Sequence, residues 1–187
     1  PEDGDYVYMG IVVQAGNGQN PAKQAAVAAG LPMSVPAMSL NKVCLSGLVA
    51  VTEAARMIRA GEADVVVAGG MESMTNAPHL ALGARKGTSY GDMTLADSLA
   101  HDGLVDSALG VAMGELTETG NTERHIGRQE QDEVAARSHQ LAGKAQQDGV
   151  FAEEIAPIEI PQRKGDPVTV AEAVSYTHLR AHETKAN

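Results

Sequence analysis

The sequence contains no tryptophan, a single phenylalanine (Phe151) and a single cysteine (Cys44). With aromatics at only 3% of residues, the core must be assembled from Ala, Val, Leu, Ile and Met, and there is little on which nucleobases could stack. Basic charge is also in deficit: 14 Lys and Arg stand against 24 Asp and Glu, a net charge of −10. That balance opposes nonspecific nucleic-acid binding, although a local basic patch would suffice for one phosphate-bearing ligand. The lone thiol excludes an intrachain disulfide framework and a cysteine-rich metal site. It is read as reduced, with the cytoplasm as the expected compartment. No apolar run approaches the about 20 residues that span a bilayer, the opening residues do not read as a signal peptide, and no membrane partner is expected. The chain starts at Pro1 without an initiator Met and is strand-like within a few residues, so a longer native protein is expected.

What is present is an ordinary globular composition, 43% hydrophobic and 20% charged over 187 residues. "YVYMGIVVQA" (Tyr6 to Ala15) reads as a strand ended by "GNGQN". Asn20 then caps a helix with Pro21 at its first position, running toward Gly30. "VPAMSLNKV" is the next strand, and "SGLVAVTEAARMIRAG" the next helix, with Leu48, Val51, Ala55 and Ile58 on its apolar face and Gly61 past its end. "DVVVAGG" reads as a strand buried on both faces. Alternating strands and helices with short connections predict an α/β fold, a parallel or mixed sheet covered by helices.

From about Met71 the chain makes a long excursion without sustained periodicity, the kind of segment that is usually functional or interface-forming. A helix returns at "RQEQDEVAARSHQLAGKAQQDG", with Val134, Leu141 and Ala145 on its inner side and Gly149 at its end. "VFAEEIAPIEIPQRKGDPVTV" reads as two strands around a basic turn. The tail "VSYTHLRAHET" places His178 and His182 four residues apart, a metal-ligand spacing on a helix. The peptide reads instead as an in-frame translation of a sequencing-library adapter, so residues 173–187 are taken as non-native, and the gene is expected to continue beyond Glu172.

Among candidate chemistries, Cys44 stands first. It lies between a strand and the start of a helix, where unpaired N–H groups favour a thiolate, and its own backbone N–H is a candidate oxyanion donor. Gly47 leaves space for a substrate near the backbone. Against this stands a buried structural thiol, a common state for free cysteine. No partner base is identifiable nearby. His79, His101, His125 and His139 are scattered and form no recognisable ligand or acid–base spacing. "GNGQN" lacks the full glycine fingerprint of a phosphate loop and is read as an ordinary turn. Met71, Met74, Met93 and Met113 are pocket-lining or core filler, and Arg163 and Lys164 form a solvated turn with a possible phosphate-facing role.

"NKVCLSGL", "DVVVAGGMESM", "APHL", "YGDMTLADSLAHDGL", "AMGELTE", "RQEQDEVAARSHQ" and "DGVFAEEIAPIEIPQRKGDPV" follow one another in the order and spacing of the thiolases. Over about Asp5 to Glu172 the chain resembles that family, and within it the acetyl-CoA acetyltransferases. The resemblance implies the N-terminal half of a two-half α/β fold, with residues 1–76 as partial core and 77–172 as an inserted loop domain. The first strand and helix and the C-terminal half would lie outside the chain. It further implies that Cys44 is the acyl-carrying nucleophile and that Met113 borders the acyl pocket. Coenzyme A thioesters would be substrates, with no permanently bound cofactor. Family members pair as homodimers or homotetramers, through the strand before Cys44 and, in tetramers, through the long excursion. Many carry Gly after the nucleophile and His before the pocket methionine; here these are Leu45 and Ala112. The family's activating His, second Cys and Asn-containing motif would come from the other half, so the chain alone is expected to be inactive. A non-catalytic, thiolase-like protein that binds acyl-CoA or lipid is the alternative, and a soluble α/β fragment with a structural cysteine the plainest one.

Overall fold

The computed structural model describes residues 3–172. The tail carrying His178 and His182 lies outside the described residues. The chain divides into two compact units, Pro1–Thr117 and Glu118–Asn187.

The first unit is built on three strands, β1 (Tyr6–Gly10), β2 (Ala37–Leu40) and β3 (Val66–Gly70), parallel and in the order β2-β1-β3. Val7 pairs with Ala37 on one side and Val67 on the other. Parallel neighbours require crossovers, supplied by α1 (Pro21–Ala28) and α2 (Ser46–Arg59). The start of α1 is the expected one: the Asn20 carboxamide accepts the Lys23 N–H at 3.3 Å and Pro21 takes the first turn. Because strand side chains alternate, adjacent residues of β1 serve different helices. Val7 packs with Ala26 and Val35 on the α1 side, whereas Tyr8 packs with Ala50 and Ala54 on the α2 side.

Two expectations are corrected here. The face of α2 turned to the sheet consists of Ser46, Ala50 and Ala54, while Leu48 and Val51 are 60% and 51% exposed and Ile58 is also exposed. At 100° per residue the larger apolar row lies about a third of a turn from the buried one. The reason is the close approach of helix and sheet: a Cβ on Gly10 would lie 2.6 Å from the Ser46 carbonyl carbon. Only small side chains fit underneath. The strand β3 is not buried on both faces either. Val66 and Ala68 pack toward α2, but Val67 is 46% exposed, because α1 lies against β1 and β2 and β3 is an edge strand.

The long excursion folds into a short antiparallel pair, β4 (His79–Leu80) with β5 (Ala96–Asp97), then a single π-helical turn, Ala100–Leu104. Helix α3 (Met113–Glu123) follows.

In the second unit, α4 (Arg128–Gln147) starts where the Glu130 carboxylate accepts the Gly127 N–H at 2.9 Å, and Gly149 ends it at φ +74°. Strands β6 (Ile158–Ile160) and β7 (Val168–Val170) form the expected hairpin around Arg163, Lys164 and Gly165. The expected inner side of α4 is corrected: Val134 and Leu141 are exposed, and only Ala145 is half-buried. Among the described residues no strand of this unit covers that row, and both hairpin strands are themselves exposed.

Candidate active site

The carboxyl ends of the three parallel strands converge, which is where ligands sit in open α/β sheets. Residues 10–13 leave β1, 41–44 leave β2 and 70–72 leave β3. Cys44 is the only free thiol and is exposed, just before Leu45, the N-cap of α2.

The approach to Cys44 is a strained turn. Val43 adopts φ +51°, an outlier for a β-branched residue, costing about 1–3 kcal/mol. Three hydrogen bonds from two neighbours hold it there. The Asn41 carboxamide oxygen accepts the Val43 N–H at 2.9 Å. The Ser46 hydroxyl donates to the Val43 carbonyl at 2.6 Å and accepts the Lys42 N–H at 2.9 Å. The Ser46 N–H closes the turn on the same carbonyl at 3.0 Å, and Ser46 is 4% exposed. The N–H groups of Gly47 and Leu48 bond to nothing among the described residues, so the helix end offers donors for developing negative charge.

Cys44 lines two adjoining cavities. One, of about 340 Å³, is lined in part by Gly10, Gly47 and Gly70, which contribute no side chain, and in part by Ile11 and Met71. The other, of about 160 Å³, is almost wholly apolar, lined by Val13, Met74, Leu99 and Leu104. Val12, Val43 and Glu72 line both with Cys44. The π-helical turn supplies the far wall of the apolar cavity, and such turns are frequent at functional sites.

Glu72 and Asn41 escaped the sequence reading. The Glu72 carboxylate accepts the N–H groups of Val12 at 2.8 Å and Val13 at 3.1 Å, tying the end of β3 to the loop after β1. Asn41 bonds the Val12 carbonyl at 3.4 Å while accepting from Val43. The only sequence signal for Glu72 was its place two residues past the end of a strand. Of the other candidates, Met71 and Met74 do line the cavities at Cys44. Met113 opens α3, half-buried, and lines neither; His79, His101, His125 and His139 line neither as well. The carbonyls of Asn17 and Gln19 in "GNGQN" bind the Gln24 side chain at 2.9 and 2.8 Å, consistent with a plain turn. Among the described residues no cluster of three or more His, Cys, Asp and Glu could hold a metal, and no helix is long and apolar enough to cross a membrane.

Comparison with known proteins adds what the geometry does not. Residues 1–183 match the family described as "Thiolase, N-terminal domain". The chain belongs to the thiolase family. A probable acetyl-CoA acetyltransferase of Mycolicibacterium smegmatis is 58% identical over 168 residues, 90% of this chain and 43% of that protein. A probable acetyl-CoA acetyltransferase of Mycobacterium tuberculosis is 53% identical over 182 residues, 97% of this chain and 46% of that protein. The crystal structure of the Bacillus anthracis acetyl-CoA acetyltransferase superimposes with a TM-score of 0.86 at 37% identity, covering 92% of this chain and 43% of that one. The fold is thus that of a thiolase, and the chain spans 43% to 46% of the length of these relatives.

Proposed function

We propose that Cys44 carries an acyl group as a thioester in a coenzyme A-dependent acyltransferase. The observation that carries this reading is an exposed thiol at the start of α2, lining a partly glycine-lined cavity and an apolar one side by side. In the step proposed, the Cys44 thiolate adds to the carbonyl of acetyl-CoA and the C–S bond to coenzyme A breaks. The coenzyme leaves as a thiolate and takes up the proton that Cys44 released. Unpaired N–H groups at the head of α2 face the charge that develops. Met113 is proposed to border the acyl chain in the longer protein. Residues 1–76 are proposed as core and 77–172 as the inserted loop domain.

The complete reaction is proposed to be condensation of two acetyl-CoA to acetoacetyl-CoA, or thiolysis of a 3-ketoacyl-CoA in fatty acid metabolism, by a cytoplasmic homodimer or homotetramer. Enolate formation needs a positioned base. Cys44 is the sole cysteine and no histidine lines its cavities, so this chain by itself is proposed to lack turnover. Incubation with acetyl-CoA followed by intact-mass analysis tests the first claim. One acetyl group per chain is expected, lost in Cys44→Ala; acetylation unchanged in that variant would sink it. Thiolysis of acetoacetyl-CoA by the purified chain would overturn the claim of inactivity.

A further inference from the structure

The turn before Cys44 is held more firmly than a loop connection requires. Val43 has a single backbone N–H and a single carbonyl, and both are taken by side chains or turns that fix φ at +51°. Asn41 holds the N–H and buried Ser46 holds the carbonyl, while Ser46 also secures Lys42. Val43 and Cys44 both line both cavities, so the conformation of residue 43 decides where residue 44 presents its side chain.

Asn41 also reaches the Val12 carbonyl, and Val12 is a wall of both cavities. Glu72 binds the N–H of the same residue. One set of side-chain to backbone bonds therefore sets both the thiol's turn and the wall opposite it. A local turn motif alone would not reach residues 29 and 60 positions away.

We propose that Asn41 and Ser46 are positioning residues that hold Val43 in its left-handed conformation and so keep the Cys44 thiol at the mouth of the two cavities. The inference rests on the reading of Cys44 as nucleophile, and neither residue touches the acyl group. Loss of either hold lets Val43 relax to negative φ and turns the thiol away.

The test is the second-order rate of Cys44 alkylation by iodoacetamide in the full 187-residue chain, measured well below its thermal transition. Asn41→Ala is expected to react more than threefold more slowly than the parent. Asn41→Ser, whose hydroxyl can still accept the N–H two residues on, is expected to lie closer to the parent than to the alanine variant. A slowing of threefold or less in Asn41→Ala overturns the proposal, and so does a serine variant as slow as alanine. Asn41 is exposed, so its variants are the ones expected to fold. Ser46→Ala is read only where its circular dichroism matches the parent; an unchanged rate there removes Ser46 from the proposal. Alkylation needs no acyl donor, so a parent chain that fails to take an acetyl group defeats the proposed function without deciding this inference.

Discussion

The two edges of the three-stranded sheet are built differently. At the amino edge, Asp5 accepts the N–H groups of Asp64 and Val65 at 2.8 and 2.9 Å, and its own N–H bonds the Val65 carbonyl at 2.8 Å. Every bond there closes an ordinary strand start, and no residue is forced into an unusual conformation. At the carboxyl edge, Val43 is strained, Gly10 stands where a side chain would collide, and helix N–H groups are left open. One edge joins strands; the other gives up regularity to leave room around a thiol. Strain of this sort persists only where neighbours over-determine it, and at Val43 the neighbours are Asn41 and Ser46.

The largest expected effect comes from filling the carboxyl edge. Gly10→Ala would place a Cβ 2.6 Å from the Ser46 carbonyl carbon and 2.7 Å from the Gly47 nitrogen, backbone atoms that cannot step aside. Destabilisation of about 3 kcal/mol is expected by chemical denaturation. A change under about 0.5 kcal/mol would show that helix and sheet are not so closely docked.

A smaller loss should follow from Glu72→Ala, which leaves the N–H groups of Val12 and Val13 without their acceptor. Because the site is partly open to water, about 1–2 kcal/mol is expected. Faster amide exchange confined to Val12 and Val13 is the finer readout; protection equal to the parent's would remove Glu72 from the wall.

The amino edge should respond least, and only through pH. Two backbone N–H groups hold the Asp5 carboxyl below its ordinary value of 3.8. A depressed carboxylate contributes stability above its unfolded value, and that contribution is lost as pH falls through the lower folded value. Acid unfolding followed by circular dichroism should therefore separate parent from Asp5→Asn at neutral pH and bring them together in strong acid. A gap that widens toward low pH would reverse the sign and refute the account.

Much of the local construction was legible without coordinates. Asn20 with Pro21, and the glycines at 30, 61 and 149 with positive φ, mark helix ends, because capping depends on residues a few positions apart. The place of Cys44 between a strand and a helix was legible for the same reason. The inner faces of α2 and α4 were not. Leu48, Val51, Val134 and Leu141 have the spacing of a buried stripe, yet in each unit the described residues leave that apolar row exposed. Periodicity identifies an apolar face without saying what lies against it.

The sequence by itself determined the helix starts and stops, the strand-helix alternation, the family and the location of the single thiol, since each is encoded in short-range pattern or in motifs read in order. Only the tertiary structure decided that alanines rather than leucines meet the sheet, that Val12 and Val13 are bound by a glutamate about 60 residues away, and that Cys44 opens onto two cavities. Those outcomes depend on how closely α2 approaches Gly10 and on which strand ends fall side by side, distances set by packing between segments far apart in the chain.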